Sequence, residues 1–163
     1  MDVLVFNVGS GAFKSFDETT EEEFENFWSS GPKGLFSFAK ALMPHFLSKE
    51  TGGVIGVTGA TASWRGMPTT SAFASSKFAT RGLCQSLSRE FGPKNVHVFH
   101  VVIDGIVDLP KTRQWMPNKP KSEFIDPAHI ADLYWYLSQQ DKRCWTYEVS
   151  VGPGDVAGSM VTI

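Results

Sequence analysis

The 163-residue sequence predicts an α/β layered fold, a mostly parallel sheet of about four strands flanked by helices. Two observations carry this. Four short apolar, β-rich runs occur at Val3–Val8, Val54–Thr58, Val96–Ile103 and Tyr147–Val151, continuous rather than alternating, as strands covered on both faces are. Helical stretches lie between them, and the order β-αα-β-α-β-α-β demands right-handed crossovers. With 42% hydrophobic and 20% charged residues the chain has the composition to bury a core, and residues 1–163 are expected to form one domain.

Each element has a local reason. After the first run, Thr20-Glu21-Glu22-Glu23 is a capping box, and its acidic first turn suits the positive end of a helix. Gly31-Pro32 breaks that helix, and a second runs from about Lys33 to Ser48. The third spans roughly Ser71 to Phe91 and stops at Gly92-Pro93. Asp126-Pro127, an N-cap followed by proline at the first helical position, opens the last one, which ends near Gln140. The three prolines and several lysines of Leu109–Glu123 read as an irregular loop over the C-terminal edge of the sheet, where ligands bind in such folds.

Several function classes are excluded by composition. Fifteen basic residues against 17 acidic ones, a net charge of −2, build no field for nucleic acid or a membrane surface. Cys84 and Cys144 form no CxxC and read as reduced thiols of a cytoplasmic protein. His45, His97, His100 and His129 form no HExxH or HxH cluster, so no metal site is expected. The start Met1-Asp2-Val3 lacks the basic opening of a signal peptide, and no apolar run reaches the ~18 residues that span a bilayer.

Three segments carry candidate chemistry. Gly9-Ser10-Gly11 follows a strand, but a phosphate-binding GxGxxG would need glycine where Lys14 stands. Thr58 through Gly66 also follows a strand, with Ser63 and Arg65 where close-approach glycines would be required. Neither is a convincing dinucleotide fingerprint. In Phe73-Ala74-Ser75-Ser76-Lys77, positions i and i+4 share a helix face, so Phe73 and the Lys77 ammonium point the same way. Taken alone, a core phenylalanine with a solvated lysine one turn on explains that pair as well.

In order and spacing, these segments together resemble the short-chain dehydrogenase/reductase superfamily from its fourth strand onward. Asp2 through Gly9 is similar to the family's D-x-L-V-N-N-A-G strand, and Phe24–Gly34 to the helix leading into N-x-x-G. Phe73–Lys77 falls on Y-x-x-x-K, and Ile103–Asp108 on the P-G-x-V loop that follows a later strand. The resemblance implies a partial Rossmann-like fold without the first β-α-β-α-β half and its T-G-x-x-x-G-x-G phosphate loop. It implies NAD or NADP as cofactor, with Asn7, Gly9, Lys77, Gly105 and Val107 on the ribose–nicotinamide side.

The catalytic set departs from the family. Its tyrosine is Phe73, its serine is Ala60 and its asparagine is Gly31, and only Lys77 remains as a catalytic residue. Hydride transfer to a carbonyl builds charge on oxygen, which a phenol protonates and a serine hydroxyl steadies. Losing such an acid costs about 10²–10⁴ in rate. Thr61 or Ser63 would replace the serine only if it faced the site, and neighbours on an extended segment face opposite ways. A less characterised branch of the superfamily is more similar still, with matches at Gly59–Gly66, Ala72–Phe78, His100–Gly105 and Trp145–Glu148; in that branch alanine and phenylalanine are the usual residues. Gly152-Pro153 stands where that branch carries Arg-Pro.

Three readings follow. The chain is an NAD(P)-type oxidoreductase with weak or no hydride transfer, or a non-catalytic oxidoreductase-like subunit or interaction module, or a truncated fragment of a longer enzyme. In the first strand, Val3, Leu4, Val5 and Phe6 include no Pro or Lys to protect an edge, so a homo-oligomer, or pairing with another polypeptide there, is expected. The helices at about Lys33–Ser48 and Ser71–Phe91 resemble the pair that the family uses for dimer contacts.

Overall fold

Strand β1 (Val3–Phe6) pairs with β2 (Gly53–Ala60), β2 with β3 (Val96–Ile103) and β3 with β4 (Glu148–Val151), every pairing parallel. This computed structural model describes residues 2–9, 11 and 13–154. Parallel strands cannot be joined by tight turns, so each connection carries helix. Helices α1 (Glu21–Ser30) and α2 (Pro32–Leu47) join β1 to β2, and α3 (Ser71–Phe91) joins β2 to β3. The connection from β3 to β4 holds the short α4 (Pro110–Trp115) and α5 (Pro127–Ser138). The sheet is thus the expected four-stranded parallel one with helices on both faces.

Alternation along each strand sorts side chains into two cores. Ile55 and Val57 of β2 and Val96 and Val98 of β3 face α2 and α3, where Leu35, Ala39, Met43, Phe46 and Cys84 are buried with them. Phe99, Val101 and Ile103 of β3 face the other way, against Leu137, Leu133 and Tyr134 of α5 and against Ile125. Strand β3 is buried at every position, which is why its sequence is an unbroken apolar run apart from two histidines.

The helix ends follow the sequence. Thr20 and Glu23 exchange hydrogen bonds in the expected capping box, the Glu23 amide donating to Thr20 Oγ1 at 3.2 Å and the Thr20 amide to Glu23 Oε2 at 2.9 Å. Gly31 ends α1, and Pro32 starts α2. Asp126 accepts from the Ala128 amide at 2.8 Å to open α5.

Two expectations on boundaries are corrected. Strand β1 stops at Phe6 rather than Val8, because the next carbonyl along β2, that of Thr58, accepts from Lys77 Nζ instead. The segment 109–123 is not wholly irregular, since Pro110 opens α4 at its first position and Arg113 grips Asp108 through two hydrogen bonds of 2.6 and 2.9 Å. The Arg113 guanidinium also lies 4.1 Å from the Phe124 ring centroid, which folds the segment back on itself.

Candidate active site

The C-terminal ends of β1 and β2 and the first turns of α3 enclose a pocket of about 200 Å³ lined by Asn7, Gly9, Gly11, Thr58, Ala60, Phe73 and Lys77. Residues far apart in sequence meet here because parallel strands bring their C-terminal ends to one edge. Ser10, between the two glycines, lies outside the described residues. The face shared by positions 73 and 77 on α3 is the one turned to the pocket, and Lys77 Nζ lies 5.9 Å from the Phe73 ring centroid.

Lys77 is the only ionisable side chain in this lining. Its Nζ donates to the Thr58 carbonyl at 3.0 Å, and no carboxylate among the described residues pairs with it. Burial holds its ammonium below the ordinary lysine range. A β-carbon at Gly9 would lie 3.4 Å from Nζ, so glycine there leaves the lysine a clear approach.

The remaining sequence candidates sit elsewhere. Gly31 is buried between α1 and α3, where a β-carbon would lie 2.3 Å from Ser76 Oγ and 2.9 Å from the Phe27 carbonyl. Ser76 donates to that carbonyl at 2.7 Å and occupies the space an asparagine would need. Gly105 is exposed, packed near Ile125 and Pro153, and Val107 pairs with Ile125; neither lines the pocket.

Neither neighbouring hydroxyl, that of Thr61 or of Ser63, lines this pocket. The segment after Ala60 is a tight turn at Thr61–Ser63, not an extended strand as expected. Ser63 is fully buried and accepts from the Ala60 amide at 3.1 Å, while Thr61 donates to Asp104 Oδ1 at 2.6 Å. Tyr134 reaches Thr58 Oγ1 at 2.5 Å, but from α5, on the sheet face opposite α3, and burial pushes its phenol up to about 12.

One cluster was not anticipated. Glu148 of β4 accepts from Arg81 of α3 through Nε and Nη2, from His100 of β3 at 2.9 Å and from Trp64 Nε1 at 3.4 Å. His100 is wholly buried, its Nδ1 donates to the acceptor-only Glu148 carboxylate, and among the described residues its Nε2 has no partner. Burial lowers the His100 pKa against the opposing pull of Glu148. A side chain at Gly59 would strike this ring, 2.3 Å from Nε2. His100 and Glu148 both belong to segments singled out in the sequence, but no local spacing joins them to each other or to Arg81: His100 and Arg81 lie 48 and 67 positions from Glu148.

Among the described residues no three His, Cys, Asp or Glu side chains converge as metal ligands, and no helix is long and apolar enough to cross a membrane.

The fold agrees with comparisons to known proteins. The family model for short chain dehydrogenases matches residues 1–119, and the chain belongs to that family. A short-chain dehydrogenase/reductase of Armillaria gallica is 38% identical over 99 residues, which cover 60% of this chain and 38% of that one. A short-chain dehydrogenase structure from Rhodopseudomonas palustris superposes with a TM-score of 0.76 at 36% identity, covering 93% of this chain and 62% of the other. An alcohol dehydrogenase from Thermococcus sibiricus, solved with 5-hydroxy-NADP, superposes at 0.81 with 29% identity over 96% of this chain and 64% of the other. The chain spans about three fifths of the length of the relatives that it matches along most of its own length.

A nicotinamide nucleotide suits part of this pocket. Lys77 offers a donor beside the open approach at Gly9, and Asn7 lines the same wall, a donor set suited to a ribose. Neither glycine segment has the fingerprint that would hold a diphosphate.

Proposed function

We propose that this chain is a short-chain dehydrogenase relative that holds the ribose–nicotinamide end of NAD or NADP weakly and transfers hydride weakly or not at all. The observation that carries this reading is the Phe73–Lys77 pair: a phenyl ring with no O–H stands beside the lysine, with Ala60 in the same wall. A bound nucleotide would supply or take up the hydride. The chain's own part would be to orient the ribose through Lys77 and Asn7 and to keep water off the Phe73 side. Among the lining residues, the Lys77 ammonium is the one acid that could deliver a proton to a substrate oxygen.

Titration of the purified chain with NAD and NADP, followed by calorimetry and tryptophan fluorescence, tests the reading. The expected result is binding too weak for saturation at micromolar nucleotide. Low-micromolar binding together with brisk reduction of any carbonyl in a broad panel would overturn it.

A second reading, a non-catalytic module that pairs with another polypeptide or a second copy, is favoured by the edge of β1. Val3 and Val5 are 37% and 48% exposed there, and Phe24, Trp28, Phe36 and Phe78 leave apolar surface on α1, α2 and α3. Sedimentation at micromolar concentration is expected to give a dimer or larger species. A stable monomer whose β1 amides resist hydrogen exchange would count against it.

A further inference from the structure

The geometry points to a second chemistry for the same pocket: Lys77 as an amine nucleophile that forms an imine with a small aldehyde or ketone. This goes beyond the nucleotide reading and does not rest on it, since the pocket alone carries it. Three observations support the assignment. Among the described residues, Lys77 is the sole ionisable group of the lining and its Nζ meets one backbone carbonyl and no carboxylate, and its neighbours Phe73, Ala60 and Gly9 leave an apolar, open approach.

Amine nucleophiles need a free lone pair, and a lysine gains one when it is desolvated without an anionic partner. Burial moves Lys77 in that direction. The Phe73 ring, at 5.9 Å, lies at the outer reach of cation–π attraction and offsets little of this. A tyrosine in its place would bring a phenol that competes for the lysine; phenylalanine leaves the amine to a ligand.

The step balances without any redox partner. The ammonium first gives one proton to solvent, and the freed Nζ lone pair attacks the carbonyl carbon while the C=O π pair moves to oxygen. One N–H proton passes through water to that oxygen, giving the carbinolamine; the hydroxyl then leaves with the last N–H proton as water, and the C–O bond is replaced by Nζ=C. Thr58, whose carbonyl holds Nζ, fixes the lysine at the pocket wall for the attack.

Reductive trapping tests this. The chain is incubated with propanal and cyanoborohydride near pH 7, digested, and the propyl adducts are quantified by mass spectrometry at Lys77 and at exposed Lys33. Lys77 is expected to label about tenfold faster than Lys33, as a desolvated amine should. Its rate should also level off at lower pH. Ala60→Leu, which fills the pocket, is expected to slow Lys77 labelling several-fold and leave Lys33 unchanged. Should that variant fail to fold, the pH profile of the unaltered chain decides. Labelling of Lys77 no faster than Lys33, with the same pH profile, overturns the proposal. Nucleotide titration is a separate readout, so weak NAD binding and failed trapping are told apart.

Discussion

Arg81 grips Glu148 with two sides of its guanidinium, Nε 2.8 Å from one carboxylate oxygen and Nη2 2.7 Å from the other. The pair ties helix α3 to the last strand, across the buried ring of His100. Such two-point pairing is stronger than a surface ion pair, and here the two side chains are only 30% and 16% exposed. Glu148→Gln is expected to lower stability by about 1–2 kcal/mol, less than for a fully buried pair because water still reaches the arginine. Urea unfolding measures this, and a change within error would show the pair to be ornamental.

The same cluster sets a pH response. Burial alone would raise the Glu148 pKa, but the hydrogen bonds from Arg81 and His100 outweigh it and hold it low. A carboxylate depressed in the folded state stabilises above its unfolded value of about 4.3, and that contribution fades as pH falls through the folded value. His100 and His97 are also lowered, both chiefly by burial. They stay neutral when folded and take protons more readily when unfolded, so stability is expected to fall as pH drops below about 6.5 and again below about 4.3. Thermal melts from pH 8 to pH 4 check the sign; a midpoint that rises on acidification would contradict it.

Gly31→Asn would introduce the asparagine that the sequence resemblance implies at this position, yet it should harm this chain. The added β-carbon would meet Ser76 Oγ at 2.3 Å and a backbone carbonyl at 2.9 Å. Overpacking of this kind costs about 1–3 kcal/mol. Pairing it with Ser76→Gly is expected to recover part of the loss in denaturant unfolding.

Phe73→Tyr alone is expected to raise carbonyl reduction less than tenfold, a small part of the roughly 10²–10⁴ that a general acid supplies. Ala60 in the same wall offers no hydroxyl, and Ser63 and Thr61 are committed to other partners. Nucleotide-oxidation assays over a carbonyl panel provide the measurement, and a gain of several hundredfold would show the pocket otherwise competent.

Thr69 adopts φ of 67°, a left-handed backbone that a β-branched residue takes only under strain. Its carbonyl accepts from the Lys14 amide at 2.8 Å, which pins the loop before α3 to the loop after β1. Thr69→Gly relieves the strain and keeps that bond, at the expense of a more flexible unfolded chain. The expected net effect is a gain of about 0.5–2 kcal/mol, the ~1–3 kcal/mol strain of a left-handed non-glycine residue less the ~0.4–1 kcal/mol cost of a freer unfolded chain; thermal unfolding that shows a loss would place the strain elsewhere.

The sheet and its helices were legible because β3 is apolar at nearly every position and because Thr20, Gly31-Pro32 and Asp126-Pro127 punctuate the helices. Helix α4 was hidden by prolines that read as breakers, although Pro110 sits at the one helical position where proline is welcome. Within the site, Phe73 and Lys77 could be paired from helical spacing alone, and the pocket gathers them with Asn7, Gly9 and Ala60. The grip of Arg81 on Glu148 was out of reach, because which helix face meets which strand is decided by packing rather than by local pattern. Gly31 shows the other limit: a position matched by spacing is here filled by its neighbour Ser76.

An all-parallel sheet has a consequence for how the chain assembles. Its rungs join Val3 to Val54, Val54 to His97 and Val101 to Val149, so no two strands can zip together as neighbours in a hairpin. Every ladder waits for a long loop to close, which makes folding slow and leaves bare strands exposed meanwhile. Helix α3, built from local contacts and packed on both β2 and β3, is the natural early scaffold. The helix that presents Lys77 would then also template the sheet, and changes along its inner face, at Ser76, Thr80 or Cys84, should register in the refolding rate.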